Sequence, residues 1–263
     1  MTGQKLTDAM VSNDADTKNW KLRFSAAKAA YDMNEFRKCE SLLYRLLEQA
    51  KTLKEEKFAT NTCRVGLGAV HIATGKIDQA QEELQHAVET LSASADDALK
   101  ELCAVARRFY AKALTEAGND DGAEDQLRSA ITALEEVGEE CVVQLAYALS
   151  DMAGLYIAKG KLSEAKELIF SAMKVLERQL GSEDPEYIRA NLIYNICDSR
   201  HDEELLSELE EGLFSMQYQL GKKHPSLTRA VRWYLKKRQE RGETDKVDEM
   251  MERFGLCGKA LGV

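Results

Sequence analysis

Proline is nearly missing from this chain: 263 residues hold two, Pro185 and Pro225. They lie 40 residues apart at the ends of related stretches, Arg178 to Pro185 and Tyr218 to Pro225, so proline serves here as a mark of unit boundaries. The six cysteines form no CxxC pair, which argues against zinc and disulfides and for buried thiols in a reducing compartment. No P-loop, GxSxG, HExxH or GxGxxG is present, and His71, His86, His201 and His224 lack metal-ligand spacing. No catalytic residue, metal or cofactor is therefore expected, and the acid pairs Glu82-Glu83, Glu135-Glu136 and Glu139-Glu140 read as solvated helix faces. An apolar run near the ~20 residues of a membrane span is not found, nor an apolar signal core at the start. The expectation is a soluble, cytoplasmic protein with no membrane partner. Excess positive charge is lacking too: a net charge of -9 and pI near 5.2 disfavour a nucleic-acid partner.

What the chain has is a repeat. Six copies of a short turn signature recur every 40 to 43 residues: NEFRKC from Asn34, GKIDQA from Gly75, GNDDGA from Gly118, GKLSEA from Gly160, RHDEEL from Arg200 and GETDKV from Gly242. Apolar residues at helical spacing flank each turn, so each copy is two amphipathic helices around a tight corner. Ala27, Gly68, Ala111 and Ala153 recur seven places before the turn residue, where a bulky side chain would hold paired helices apart. Units of this kind cannot bury their apolar faces alone and must stack.

The pattern resembles the tetratricopeptide repeat, whose small residues fall at positions eight, twenty and twenty-seven. Counted from Asn61 these are Gly68, Ala80 and Ala87; from Ala104, Ala111, Ala123 and Ala130; from Ala146, Ala153, Ala165 and Ala172. The last third, with RQLGSEDP and YQLGKKHP, is similar to the LGxxHP junction of kinesin-light-chain-like repeats. Gly181 and Gly221 suit helix ends, and Asp184 can cap the helix opened by Pro185. The paired Asn of light-chain repeats is missing, as is a heptad run for joining a motor, so a motor-adaptor role is not carried over. The resemblance implies an all-α right-handed superhelix of about six helix-turn-helix repeats over residues 18–254, between a flexible or partly helical tail, 1–17, and a C-terminal tail, 255–263. Val247, Met250, Met251 and Phe254 form an apolar stripe read as core.

The family's geometry places positions two, five, nine and twelve of each first helix on a concave groove. On that basis the candidate binding residues are Phe24, Lys28, Tyr31, Val65, Arg108, Lys112, Tyr147, Tyr194, Arg232 and Lys236. None of the 24 positions so chosen is Asp or Glu, although 45 of 263 residues are. A basic groove dotted with aromatics within an acidic molecule is suited to a peptide or protein partner, its contacting segment acidic. Arg108 and Lys112, one turn apart, are expected outside the core as a local positive field. The carboxylate clamp of some relatives is poorly matched, since Phe24, Lys28 and Gly66 stand at its positions. A non-enzymatic scaffold is the first expectation, a ligand-responsive regulator of a partner protein the second, and an enzyme on a repeat scaffold the remote third. Sequence leaves the oligomeric state open.

Overall fold

The structure is a computed structural model that describes residues 15–197, 203–221 and 225–255. Among these residues there are twelve α-helices, one short 3-10 turn and no strand: α1 Ala15–Asp32, α2 Phe36–Ala50, α3 Glu56–Ala73, α4 Ile77–Leu91, α5 Asp97–Glu116, α6 Asp120–Val137, α7 Val142–Ala158, α8 Leu162–Leu180, α9 Pro185–Ile196, α10 Glu203–Leu220, α11 Pro225–Glu240 and α12 Thr244–Phe254. From α1 to α7, and again from α9 to α12, helices that follow one another in the chain pack as neighbours, the expected helix-turn-helix order. The fold is all-α and of the tetratricopeptide type. It divides into two compact units, Met1–Val175 and Leu176–Val263.

The turns follow from backbone sterics. Asn34, Gly75, Gly118, Gly160 and Gly242 all adopt positive φ, between 60° and 79°, which lets the chain reverse within three residues of each first helix's end. Asn tolerates this left-handed region better than other side chains, which explains the odd member of the set. The turn at Arg200 lies outside the described residues. Helix starts are capped from sequence: Asp96 accepts from the Leu99 amide, Asn119 from Gly122, and Asp184 from Glu186 with Pro185 opening α9.

In the first unit the small positions do the spacing they were assigned. A Cβ at Gly68 would lie 2.4 Å from Leu84 Cγ, so only glycine lets α3 meet α4 that closely. Ala27, Ala80, Ala123, Ala153 and Ala165 are fully buried. Helix α1 spans Ala15–Asp32, and Thr17 near its start is buried. Trp20 is enclosed and donates its indole N–H to the Leu46 carbonyl at 3.0 Å. Cys39, Cys63, Cys103, Cys141 and Cys197 are buried free thiols, and Cys257 lies outside the described residues. Burial pushes the Cys39 thiol up to about 11 and that of Cys141 to about 12, so neither is a ready nucleophile.

One expectation needs correction. The stretch Glu139–Ala158 is long and apolar enough, by composition, to cross a bilayer. Its apolar side chains have another use, because Ala146, Ala148, Met152, Ala153 and Leu155 are all buried against protein.

The second unit has its own core of Leu209, Leu213, Val231, Tyr234, Met250 and Phe254, which places the Met250 stripe in the interior as expected. Arg238 is buried there. Its guanidinium donates to the Tyr234 hydroxyl at 2.7 Å and to Glu243 at 2.6 Å, while the Tyr234 hydroxyl donates to Glu210 at 2.9 Å. This chain of bonds ties α10, α11 and the turn before α12 together.

Candidate functional site

The first helices of successive repeats in unit one are α1, α3, α5 and α7, and α3 lies against α5 as α5 does against α7. That contact covers the early groove positions. Val65, Arg108, Tyr147 and Ser150 are buried, and so are Thr62 and Val105. Positions nine and twelve, a turn or two further along, are more open: Ala69 is buried, but Lys28, Tyr31, Ile72, Lys112 and Ile157 are half-buried, and Thr115 and Gly154 are exposed. The accessible strip is therefore narrower than the groove read from sequence along the first helices. It is also displaced toward the C-terminal half of each first helix.

Arg108 and Lys112 depart furthest from expectation. Arg108 is 6% exposed and donates from Nε and an Nη to Asp151 Oδ2, at 3.0 and 2.8 Å, and from its other Nη to Gln144 Oε1 at 3.3 Å. Lys112 Nζ lies 3.2 Å from the other oxygen of the same carboxylate. The guanidinium also sits over the Tyr147 ring, 5.0 Å from its centroid, and Lys112 over Phe109 at 5.1 Å. Arg108, Lys112 and Tyr147 are thus brought together, as a buried ion cluster that locks α5 to α7 instead of a free positive field. The physical reason is desolvation: an arginine covered by a neighbouring helix requires a carboxylate within the protein, and Asp151 supplies it.

Asp151 is the residue that sequence reasoning missed. It stands at the sixth position of its repeat, next to Ser150, and a list confined to positions two, five, nine and twelve passes over it. A lone acid on an otherwise uncharged first helix, VVQLAYALSDMAGLYIA, is the signal that was available.

The other candidates divide by unit. Phe24 stacks on Trp20 with ring centroids 5.3 Å apart, and Tyr31 meets Phe36 edge-on at 5.6 Å, so both rings are held by their own repeat. Lys28 lies between them on α1, half-buried, and Val65 is interior on α3. In the second unit Tyr194 is half-buried, while Arg232 and Lys236 are exposed on α11.

His71 is interior, as its position suggested. Its Nε2 lies 3.1 Å from Glu40 Oε1, to which Lys76 also donates at 2.8 Å, and the lysine's hydrogen bond holds the Glu40 carboxyl below its usual range. No group of three His, Cys, Asp or Glu suited to a metal occurs among the described residues. His201 and His224 lie outside them.

The chain matches no protein-family model and no curated protein. Solved structures do resemble it. RapI in its apo form superposes with a TM-score of 0.70 at 13% identity, covering 96% of this chain and 85% of that one. Bacillus thuringiensis PlcR, solved in complex with the peptide PapR7 and DNA, gives 0.64 at 10% identity, over 84% of this chain and 76% of PlcR. A Podosopora anserina protein assigned as a kinesin light chain, built of nearly identical TPR-like repeats, gives 0.55 at 18% identity, over 76% of this chain and 96% of that chain. At these identities the likeness is one of fold.

Proposed function

We propose that this chain is a non-enzymatic, cytoplasmic interaction module that receives a peptide segment along the open inner-helix strip of its first unit. The observation that carries the reading is the make-up of that strip. Tyr31, Ile72 and Ile157 offer apolar contact, Lys28 and Lys112 offer charge, and no acid stands at positions nine or twelve of α1, α3, α5 or α7. A segment with aromatic or aliphatic anchors and carboxylates beside them matches this surface. Asp151 and Phe109 hold the Lys112 side chain at the edge of the strip. PlcR, a chain of similar fold, was solved in complex with a peptide, which supports the reading. Buried free thiols fit a reducing compartment.

A second reading, a regulator whose repeats shift on binding, is favoured by one feature. A ligand carboxylate drawn to Lys112 competes with Asp151, and Asp151 holds α5 to α7.

An array of ten-residue peptides graded in acidic and aromatic content, probed with wild type and with Lys28→Glu, tests the proposal. Charge-assisted contacts contribute about 1.5 to 3 kcal/mol, so Lys28→Glu should weaken the best acidic binders by roughly tenfold or more. Binding should also fall as salt screens charges beyond about 8 to 10 Å. Retention indifferent to both salt and Lys28→Glu would remove the strip as the binding surface.

A further inference from the structure

Among the described residues, every glycine but one has a reason to be glycine that the fold itself supplies. Eight adopt positive φ, which other residues avoid. At Gly66, Gly68, Gly122 and Gly212 a Cβ would press on a neighbour, 3.0 Å from Leu43, 2.4 Å from Leu84, 2.8 Å from Asn119 and 3.2 Å from Leu192. Gly154 has neither reason. It stands inside α7 without positive φ, and a Cβ added there would meet nothing within 4 Å. Glycine within a helix is destabilising relative to alanine, because it loses more backbone freedom on folding. Folding and packing therefore disfavour glycine at this one position.

Its place in the fold is the open strip. Gly154 is exposed at the ninth position of α7, where α1 and α5 carry Lys28 and Lys112. Asp151, one turn earlier, lies 3.2 Å from Lys112 Nζ, and Ile157, one turn later, is half-buried. Residues three apart are neighbours on a helix surface, and a helical side chain covers the turn before its own Cα. The absent side chain thus bares a turn of α7 between the Asp151–Lys112 pair and Ile157. Backbone groups in mid-helix bond to one another, so the bare turn offers an apolar surface. A second observation points to the same turn. Ser150, on the face of Gly154, is 0% exposed, and its hydroxyl meets no hydrogen-bond partner among the described residues. Buried polar groups are nearly always bonded, so this one is open to an acceptor that approaches over Gly154.

We propose that the bare turn at Gly154 is the seat of one bulky apolar side chain of the bound segment, packed against Ile157, with a carboxylate beside it in the segment drawn to Lys112; this rests on the peptide reading of the strip. Charge and shape both designate that occupant. The cation at the edge of the seat selects an acidic neighbour, and a hole floored by helix backbone and walled by isoleucine selects a knob without polar atoms. Gly154 is then the residue that sets which peptides the strip accepts, through the size of the residue it admits.

Three ten-residue peptides with a central Phe, Leu or Ala between aspartates, titrated against the full chain by fluorescence anisotropy, test this. Wild type should bind the Phe and Leu peptides about tenfold or more tightly than the Ala peptide, from the apolar area they bury. Gly154→Leu fills the hole and should erase that difference, weakening the Phe and Leu peptides by about tenfold while leaving the Ala peptide unchanged. Gly154→Ala should fall between. Urea midpoints of both variants should match or exceed that of wild type, which separates lost binding from lost folding. Lys28→Glu should weaken all three peptides alike. An effect of Lys28→Glu without one of Gly154→Leu would overturn the seat and leave the strip standing; indifference to both would remove the strip as well. A wild type that does not distinguish Phe or Leu from Ala would also overturn the seat.

Discussion

Truncating Asp151 to alanine should strip the partner from a guanidinium whose side chain is 7% exposed, at a site where the lost carboxylate itself is 5% exposed. Breaking a buried pair in this way typically costs about 3 to 5 kcal/mol, because the surviving charge is left without compensation. The low end applies here. Gln144 still accepts one Arg108 hydrogen bond, and Lys112, with 21% of its side chain exposed, can turn toward water. About 3 kcal/mol corresponds to a melting shift of roughly 6 to 12 °C, at about 2 to 4 °C per kcal/mol for a chain of this size. Urea titration followed by far-ultraviolet circular dichroism measures it. The double variant Arg108→Met with Asp151→Leu removes both charges and should recover most of the loss, since apolar replacement of a buried pair is often neutral or stabilising. A loss below about 1 kcal/mol for Asp151→Ala, the range of exposed pairs, would show that the cluster is solvated and refute the buried lock. Reversing Arg108 and Lys112 to glutamate would place three carboxylates together, so unfolding is now expected where the sequence suggested tolerance.

Two glycines on equivalent helices should respond in opposite ways. Gly68→Ala forces a Cβ to 2.4 Å from Leu84 Cγ and should cost about 1 to 3 kcal/mol, whereas Gly154→Ala meets nothing within 4 Å and should stabilise by about 0.5 to 1 kcal/mol; urea midpoints decide. Acid should weaken the α6–α7 corner, where hydrogen bonds from Lys159 and Arg128 hold the Glu124 carboxyl down at about 2. A depressed folded pKa means stabilisation that is complete above the ordinary carboxylate pKa of about 4.3 and lost as pH falls toward 2. Glu124→Gln should therefore narrow its stability gap to wild type across that window, and a gap constant from pH 6 to pH 2 would contradict the assignment.

The helices and turns of this protein were legible because they answer to local rules. Positive φ at Gly75, Gly118 and Gly160, capping by Asp184, and close approach at Gly68 each depend on residues within one repeat, and repetition made each signal visible several times. Even the burial of Met250 could be read from helical spacing. The candidate site was read less well, for a reason that is also physical. A first helix's position in the repeat says which way Arg108 points, but only the packing of α7 beside α5 decides that it meets Asp151, 43 residues away, instead of water. Whether a charge serves as a ligand contact or as a buried strut is a question of desolvation, and desolvation belongs to neighbouring helices, not to the helix that carries the charge. For the same reason Lys28 and Lys112, half-open at the ninth position, emerged as the accessible cations only once the inner helices were placed side by side.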